Sequence, residues 1–292
     1  MNIAFLGTGL LGYPMAEKLC EAGHAVFVYN RTRAKAEPLA KKGAKICPSA
    51  AEAIAPSECV ILMLTDQAAI REVVFSKTGA PTDFSGKTVL QMGTIAPSES
   101  RELAGQVKAR GGEYLECPVL GSIAEAKAKN LVLMVGGTTQ QFDRWKDFLC
   151  CFGPAPRRIG EVGTAAALKL ALNQLIAAHI CAFSLSLGLV ENSGVDRETF
   201  MEILRPSALY APMFDKKMPK MVKREFAEAN FPVQHLLKDV KLFLEEGRRY
   251  GLGTSALDGV RRLLEQTIAK GMAKDDYSAV HNMISPVKGK RG

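Results

Sequence analysis

The stretch MNIAFLGTGLLGYPMAEKLCEAGHAVFVYNRT, residues 1–32, decides how the rest of the chain is read. Residues 2–6 are a short apolar run ending in glycine, the pattern of a buried strand. Leu11, Met15, Leu19 and Ala22 then recur at helical spacing over residues 11–22, and Ala-Val-Phe-Val-Tyr at 25–29 is again a strand. Strand, tight turn, helix and strand within about 30 residues make a βαβ unit. Gly7, Gly9 and Gly12 occupy its first turn as Gly-x-Gly-x-x-Gly. The first glycine permits the turn, the second lets backbone approach a pyrophosphate, and the third lets helix and strand close on each other. Free N–H groups at the helix start then attract the phosphate charge. An ordinary glycine-rich turn is the alternative, and the position between strand and helix argues against it.

The second strand runs into Asn30, Arg31 and Thr32. A site for NAD ordinarily places an acidic residue there to accept from the ribose 2′-hydroxyl. Here no carboxylate repels a 2′-phosphate, Arg31 can pair with one, and Arg33 can assist. The expected cofactor is therefore NADP, as NADPH.

Outward from this unit the alternation continues. A helix is expected at 33–42, a strand at 44–46, a short helix at 49–54 and buried strands at 59–64 and 88–93. A helix at 97–110 and strands at 113–119 and 131–137 complete the pattern. From about residue 162 strand signals stop, and helices are expected at 163–193, 196–204, 213–224, 232–250, 254–270 and 275–284. The tail from Pro286 has no apolar anchor and is expected to fray. The fold class is an α/β Rossmann domain with a mostly parallel, doubly wound sheet, residues 1–161, followed by an all-α C-terminal domain, residues 162–292. The substrate cleft is expected at their interface, and oligomerisation on the helical part.

Composition narrows the function. The chain has 292 residues, 47% of them hydrophobic, enough for sizeable cores. Its formal charge of +8 is compatible with nucleic acid, an acidic membrane or an anionic small molecule. The densest basic cluster, Lys216, Lys217, Lys220, Lys223 and Arg224, reads as a solvated helix face, with no interleaved aromatics for base stacking. No nucleic-acid partner is expected. Seven cysteines with no Cys-x-x-Cys pair fit a reduced intracellular protein, and the adjacent Cys150 and Cys151 read as packing residues. No metal site is expected. Met1 leads directly into a strand with no basic leader, so the expected location is cytoplasmic. The apolar stretch from Ala165 to Val190 is interrupted by Lys169, Asn173, Gln174 and His179 and reads as a buried helix, with no membrane partner.

Lys169 and Asn173 lie four residues apart on that helix and so share a face. Among Leu168, Leu170 and Leu172 such a lysine is either a snorkelling residue or a functional ammonium in a cleft. Lys238 and Asp239 are adjacent on helix 232–250, and adjacent residues do not share a helix face, so each is expected to have its own partner.

FLGTGLLGYPMAEKL, QMGTIAPSESRELA, ECPVLGSIAEAKAKNLVLMVGG, GEVGTAAALKLALNQ and FPVQHLLKDVKLFLEE together resemble the segments of the β-hydroxyacid dehydrogenase family. That family includes 3-hydroxyisobutyrate dehydrogenases, tartronate semialdehyde reductases and glyoxylate/succinic semialdehyde reductases, and the similarity covers about residues 1–285. The resemblance implies catalysis by Lys169 as general acid with Asn173 as helper. It implies cofactor contacts from Gly7, Thr8, Gly9, Leu10, Leu11, Gly12, Asn30, Arg31, Thr32, Met63, Leu64, Thr65, Thr94 and Lys238. Gly121, Ser122, Phe231 and Asp239 are implied at the substrate, and Phe231 alternatively packs in a core. Many members read Pro-Val-Ser-Gly-Gly where this chain has Pro118, Val119, Leu120, Gly121 and Ser122. Gly93, Gln91 and Gln174 stand where a serine, an aspartate and an asparagine are common. Ser122 and the Asn-Arg-Thr run resemble the glyoxylate/succinic semialdehyde branch. The implied activity is NADPH-dependent reduction of a small anionic aldehyde or keto acid, by a homodimer or homotetramer. The alternatives are a dehydrogenase of the 3-hydroxyisobutyrate or tartronate semialdehyde type, an imine reductase, and a catalytically silent homologue that binds nucleic acid or a protein partner.

Overall fold

The computed structural model describes residues 1–75 and 83–286. All of the expected frayed tail after Pro286 lies outside the described residues. The chain divides into two compact units, Met1–Lys169 and Leu170–Gly292.

The first unit is built on nine strands: β1 (Asn2–Leu6), β2 (Ala25–Tyr29), β3 (Lys45–Ile46), β4 (Cys59–Leu62), β5 (Thr88–Gln91), β6 (Glu113–Glu116), β7 (Val119–Leu120), β8 (Val132–Gly136) and β9 (Arg157–Gly160). Their order is β3-β2-β1-β4-β5-β6-β8-β7, with β9 beside β8. The pairs from β3 through β6 are parallel, and β8 runs antiparallel to β6 and β7. Strand order reverses direction between β1 and β4, the switch point at whose carboxyl side ligands bind in such sheets.

Successive residues of one strand face opposite cores. Ile3 and Phe5 of β1 join Cys59 and Ile61 of β4 in one, and Ala4 and Leu6 join Val60 and Leu62 in the other. Burial on both faces is why these strands read as continuous apolar runs. Each large side chain so buried contributes about 1.5–3 kcal/mol. The covering helices are α1 (Gly12–Glu21), α2 (Ala50–Ile54), α3 (Gln67–Val74), α4 (Pro97–Lys108), α5 (Ile123–Lys127) and α6 (Thr139–Leu149).

Local expectations change in this unit. The helix expected at 33–42 is two 3-10 turns, Arg33–Lys35 and Glu37–Lys42, because Pro38 lacks an N–H and no side chain caps either turn. The strand expected at 113–119 breaks into β6 and β7 around Cys117 and Pro118, where Pro118 cannot donate to the ladder. Cys150, just past the end of α6, is exposed and not packed, whereas Cys151 is half-buried and packs against the core as expected.

Helix α7 (Thr164–Asn192) begins in the first unit and continues into the second. Among the described residues it alone is long and apolar enough to cross a membrane. Its Ala177, Ile180, Phe183 and Leu187 form the second unit's core with Phe214, Leu236, Val240, Leu244 and Leu264. The remaining helices are α8 (Arg197–Leu204), α9 (Pro212–Lys223), α10 (Val233–Arg249), α11 (Ser255–Ala269) and α12 (His281–Ile284). The helix expected at 275–284 is a 3-10 turn, Tyr277–Val280, followed by α12. The basic cluster on α9 is not uniformly solvated. Lys217 is buried, its ammonium 2.7 Å from Asp276 and over the Tyr277 ring, because the buried Asp276 carboxylate needs a counter-charge.

Candidate active site

The glycine fingerprint forms a tight cradle. Gly7 has φ +104°, and a Cβ there would overlap the Met63 carbonyl; one at Gly12 would overlap the Gly7 carbonyl. Gly9 is different: a Cβ would meet nothing within 4 Å, so its backbone faces open space. The first turn of α1 carries no acidic residue and no side-chain cap, which leaves its N–H groups to an anion. Thr8 is buried and its Oγ1 has no hydrogen-bond partner. These four observations fit a dinucleotide pyrophosphate.

Asn30 follows β2 and ties the cradle together. Its Oδ1 accepts from the Thr8 N–H at 2.9 Å and its Nδ2 donates to the Thr32 carbonyl at 2.9 Å. Its side chain is thus spent on backbone, and Arg31 is left exposed with its guanidinium 3.8 Å from Glu72 on α3. Met63, Leu64 and Thr65 follow β4, and Thr94 follows β5, whose continuing N–H groups at Met92 and Gly93 bond to the Leu62 carbonyl. The structure therefore gathers every proposed cofactor residue of the first unit at the carboxyl ends of β1, β2, β4 and β5. Gly93 has a steric reason, since a Cβ would lie 2.6 Å from the Leu64 carbonyl oxygen.

Lys169 is 8% exposed and Asn173, one turn on along α7, is 3% exposed. Asn173 Nδ2 donates to Asp239 Oδ2 at 2.6 Å, and its own Oδ1 is buried without a partner. Lys238 Nζ lies 2.8 Å from Asp239 Oδ1, a charge contact without hydrogen-bond alignment. Adjacent Lys238 and Asp239 also meet each other: the long lysine stem folds back to its neighbour, and one carboxylate touches both Lys238 and Asn173. Phe231 is half-buried and packs edge-on against Tyr277, ring centroids 5.9 Å apart.

Comparison with known proteins decides the lineage. Residues 2–163 match the NAD binding domain of 6-phosphogluconate dehydrogenase, and residues 163–284 match the family described as NAD-binding of NADP-dependent 3-hydroxyisobutyrate dehydrogenase. The chain is 32% identical to the chloroplastic glyoxylate/succinic semialdehyde reductase 2 of Arabidopsis thaliana, over 99% of this chain and 80% of that protein. It is 32% identical to glyoxylate/succinic semialdehyde reductase 1 of the same plant, over 96% and 97%. The chain belongs to the β-hydroxyacid dehydrogenase family. It is an oxidoreductase of CH–OH groups that uses a nicotinamide cofactor. A crystal structure of 3-hydroxyisobutyrate dehydrogenase from Salmonella typhimurium shares the fold, with TM-score 0.86 at 21% identity over 96% of this chain and 99% of that one.

Within this dehydrogenase fold the segment around Gly121 and Ser122 holds a surprise for carboxylate recognition. Gly121 has φ +143°, and the N–H and hydroxyl of Ser122 both donate to Glu125 Oε2, the former at 2.7 Å. The donors proposed for a substrate carboxylate are thus given to an internal one. Sequence reasoning passed over three acidic residues: Glu125, Glu72 beside Arg31, and the buried Glu116 at the end of β6. The Ser-x-x-Glu spacing of a capping box was the available signal for Glu125. Glu116 had a weaker one, a carboxylate inside an otherwise apolar strand, while nothing local signals Glu72.

Proposed function

We propose that this dehydrogenase is an NADPH-dependent reductase of small aldehyde and keto acids, foremost glyoxylate and succinic semialdehyde, with Lys169 as general acid. The observation that carries the reading is a buried lysine one helical turn from a buried, carboxylate-anchored asparagine. The 32% identity to two reductases named for those substrates supports the choice of branch. The missing acid after β2 and the exposed Arg31 support NADPH.

The nicotinamide supplies the hydride that reduces the substrate carbonyl carbon. Charge then grows on the carbonyl oxygen, and the Lys169 ammonium stabilises it and donates the proton, giving the alcohol; neutral Lys169 regains its proton from solvent. Asp239 fixes the Asn173 amide and leaves Oδ1 to accept from a substrate hydroxyl or an ammonium. Gly121, Ser122 and Phe231 serve the substrate in this reading. We further propose a homo-oligomer joined through α7, whose exposed Leu175, Ala182, Leu185 and Leu189 are spaced by seven, three and four residues and so share one face, the seam by which a helix meets a copy of itself. The seven free cysteines support a reducing compartment, consistent with the cytoplasm.

The test is initial rates on a panel of semialdehydes and keto acids with NADPH and NADH, for the parent and Lys169→Ala. Glyoxylate and succinic semialdehyde with NADPH should lead, and Lys169→Ala should lose about 10²–10⁴-fold in kcat with NADPH affinity kept. Preferential oxidation of 3-hydroxyisobutyrate with NAD would overturn the branch. Turnover by Lys169→Ala within threefold of the parent would overturn the acid.

A further inference from the structure

The start of α7 has no cap of its own. Gly163 is the residue before its first turn, has φ +101° and carries no side chain. Yet three N–H groups at the helix start are held from a strand far away in sequence. Glu116 Oε1 accepts the N–H groups of Gly163 and Ala165 at 2.8 Å and of Ala166 at 3.2 Å. The Thr164 N–H goes to the Glu161 carbonyl at 3.1 Å, and the Ala167 N–H closes the first helical bond onto Gly163.

The carboxylate is itself held. Ser100 Oγ donates to Glu116 Oε2. Having spent its hydrogen there, Ser100 must accept from the Tyr114 hydroxyl at 2.8 Å. Burial pushes the Tyr114 phenol far above its ordinary pKa and keeps it a donor. Gly136 leaves the space, because a Cβ there would overlap Glu116 Oε1. The charged and titratable groups around this cap are Tyr114, the buried Cys117 thiol, which burial and the Glu116 charge push up, Arg101, whose side chain lies against Gly163, and the Arg158–Glu161 pair before α7.

Lys169 lies three and four residues beyond the two helical N–H groups that Glu116 holds, hence on the same side of α7 and about 6 Å along its axis. Helical side chains lean towards the N-terminus, so the lysine stem leans towards this cap. The bare N-terminus of a helix carries partial positive charge, which disfavours an ammonium nearby; a buried carboxylate cancels and reverses that field.

We propose that Glu116 is the positioning residue of the catalytic lysine: a remote helix cap that fixes the first turn of α7 and keeps Lys169 charged. The proposal rests on Lys169 being the general acid. Both partners lie in the first unit, so nothing outside it is needed.

The test uses the full chain with succinic semialdehyde and NADPH. Glu116→Gln keeps the shape and an acceptor oxygen and removes the charge. It should lower kcat about tenfold, leave the KM for NADPH within twofold, and move the alkaline limb of the kcat profile down by about one pH unit, as expected for one charge at this range. Glu116→Asp keeps the charge but is a methylene short; it should lower kcat while the alkaline limb stays in place. Ser100→Ala frees the carboxylate to swing and should give a smaller loss, about threefold, at unchanged KM for NADPH; it also serves if Glu116→Gln does not fold. In a Lys169→Ala background none of these changes should lower kcat further. A folded Glu116→Gln protein with reduced Tm but parental kcat and pH profile would make the cap merely structural and overturn the inference, as would parental kcat in Ser100→Ala. Full activity of Lys169→Ala would instead sink the underlying acid assignment, so the two failures are distinguishable.

Discussion

Under the proposed NADPH preference, Arg31→Ala should separate the two nicotinamide cofactors. A charge-assisted hydrogen bond to a 2′-phosphate contributes about 1.5–3 kcal/mol. Arg31 is not idle without it, because its guanidinium lies 3.8 Å from the Glu72 carboxylate with both side chains exposed, at 78% and 64%. A surface pair of that kind contributes about 0–1 kcal/mol and must be given up or shared on binding. The net loss in Arg31→Ala is therefore about 1–2.5 kcal/mol, or roughly 5–70-fold in the KM for NADPH. NADH has no 2′-phosphate, and its KM should move less than twofold. Glu72→Gln should act in the opposite sense, tightening NADPH about twofold to fivefold by removing a competitor and a like charge, again with little effect on NADH. The assay is steady-state KM for each cofactor at saturating succinic semialdehyde, repeated at two ionic strengths, since the NADPH effects should shrink with salt. Equal losses for both cofactors in Arg31→Ala would refute the reasoning and leave Arg31 a surface residue.

Freeing the Ser122 donors by Glu125→Ala should lower the KM for an anionic aldehyde roughly 3–10-fold, about one net hydrogen bond, with little change for an uncharged one; an unchanged KM would place the substrate carboxylate elsewhere. Burial, with Arg224 adding, pushes the His281 imidazole down to about 4 from 6.5. The unfolded chain then binds a proton that the native one refuses, so stability is complete above about pH 6.5 and falls by about 2–3 kcal/mol as the pH drops towards 4. Urea midpoints across that range should show this slope in the parent and lose most of it in His281→Phe. Leu189→Glu, at a side chain 71% exposed, should leave the urea midpoint within about 0.5 kcal/mol and reduce the molar mass in light scattering; an unchanged mass would remove α7 as the seam.

What the sequence determined by itself was whatever physics is local. The βαβ unit with Gly7, Gly9 and Gly12 was legible because tight turns and close backbone approach admit few residue types, and the structure shows those collisions one by one. The buried strands were legible because two-sided burial leaves an unbroken apolar run. Helices α3 and α6 were within reach of the same reasoning, since Asp66 and the Thr138–Gln141 box cap them. Lys169 and Asn173 were visible as polar interruptions of an apolar helix, although it took whole-chain similarity to attach chemistry to them. Long-range pairing belonged to the tertiary structure. Glu116 reaches α7 across 47 to 50 residues and Asn173 reaches Asp239 across 66, and no periodicity marks either. Arg31 meets Glu72 only because β2 ends, and α3 starts after β4, on the same side of one parallel sheet. Lys217 looked like one charge among several on a solvated face until Asp276 was found buried against it. A side chain's partner is fixed by where the backbone brings distant segments, whereas the periodicity of a strand or helix is written into each segment alone.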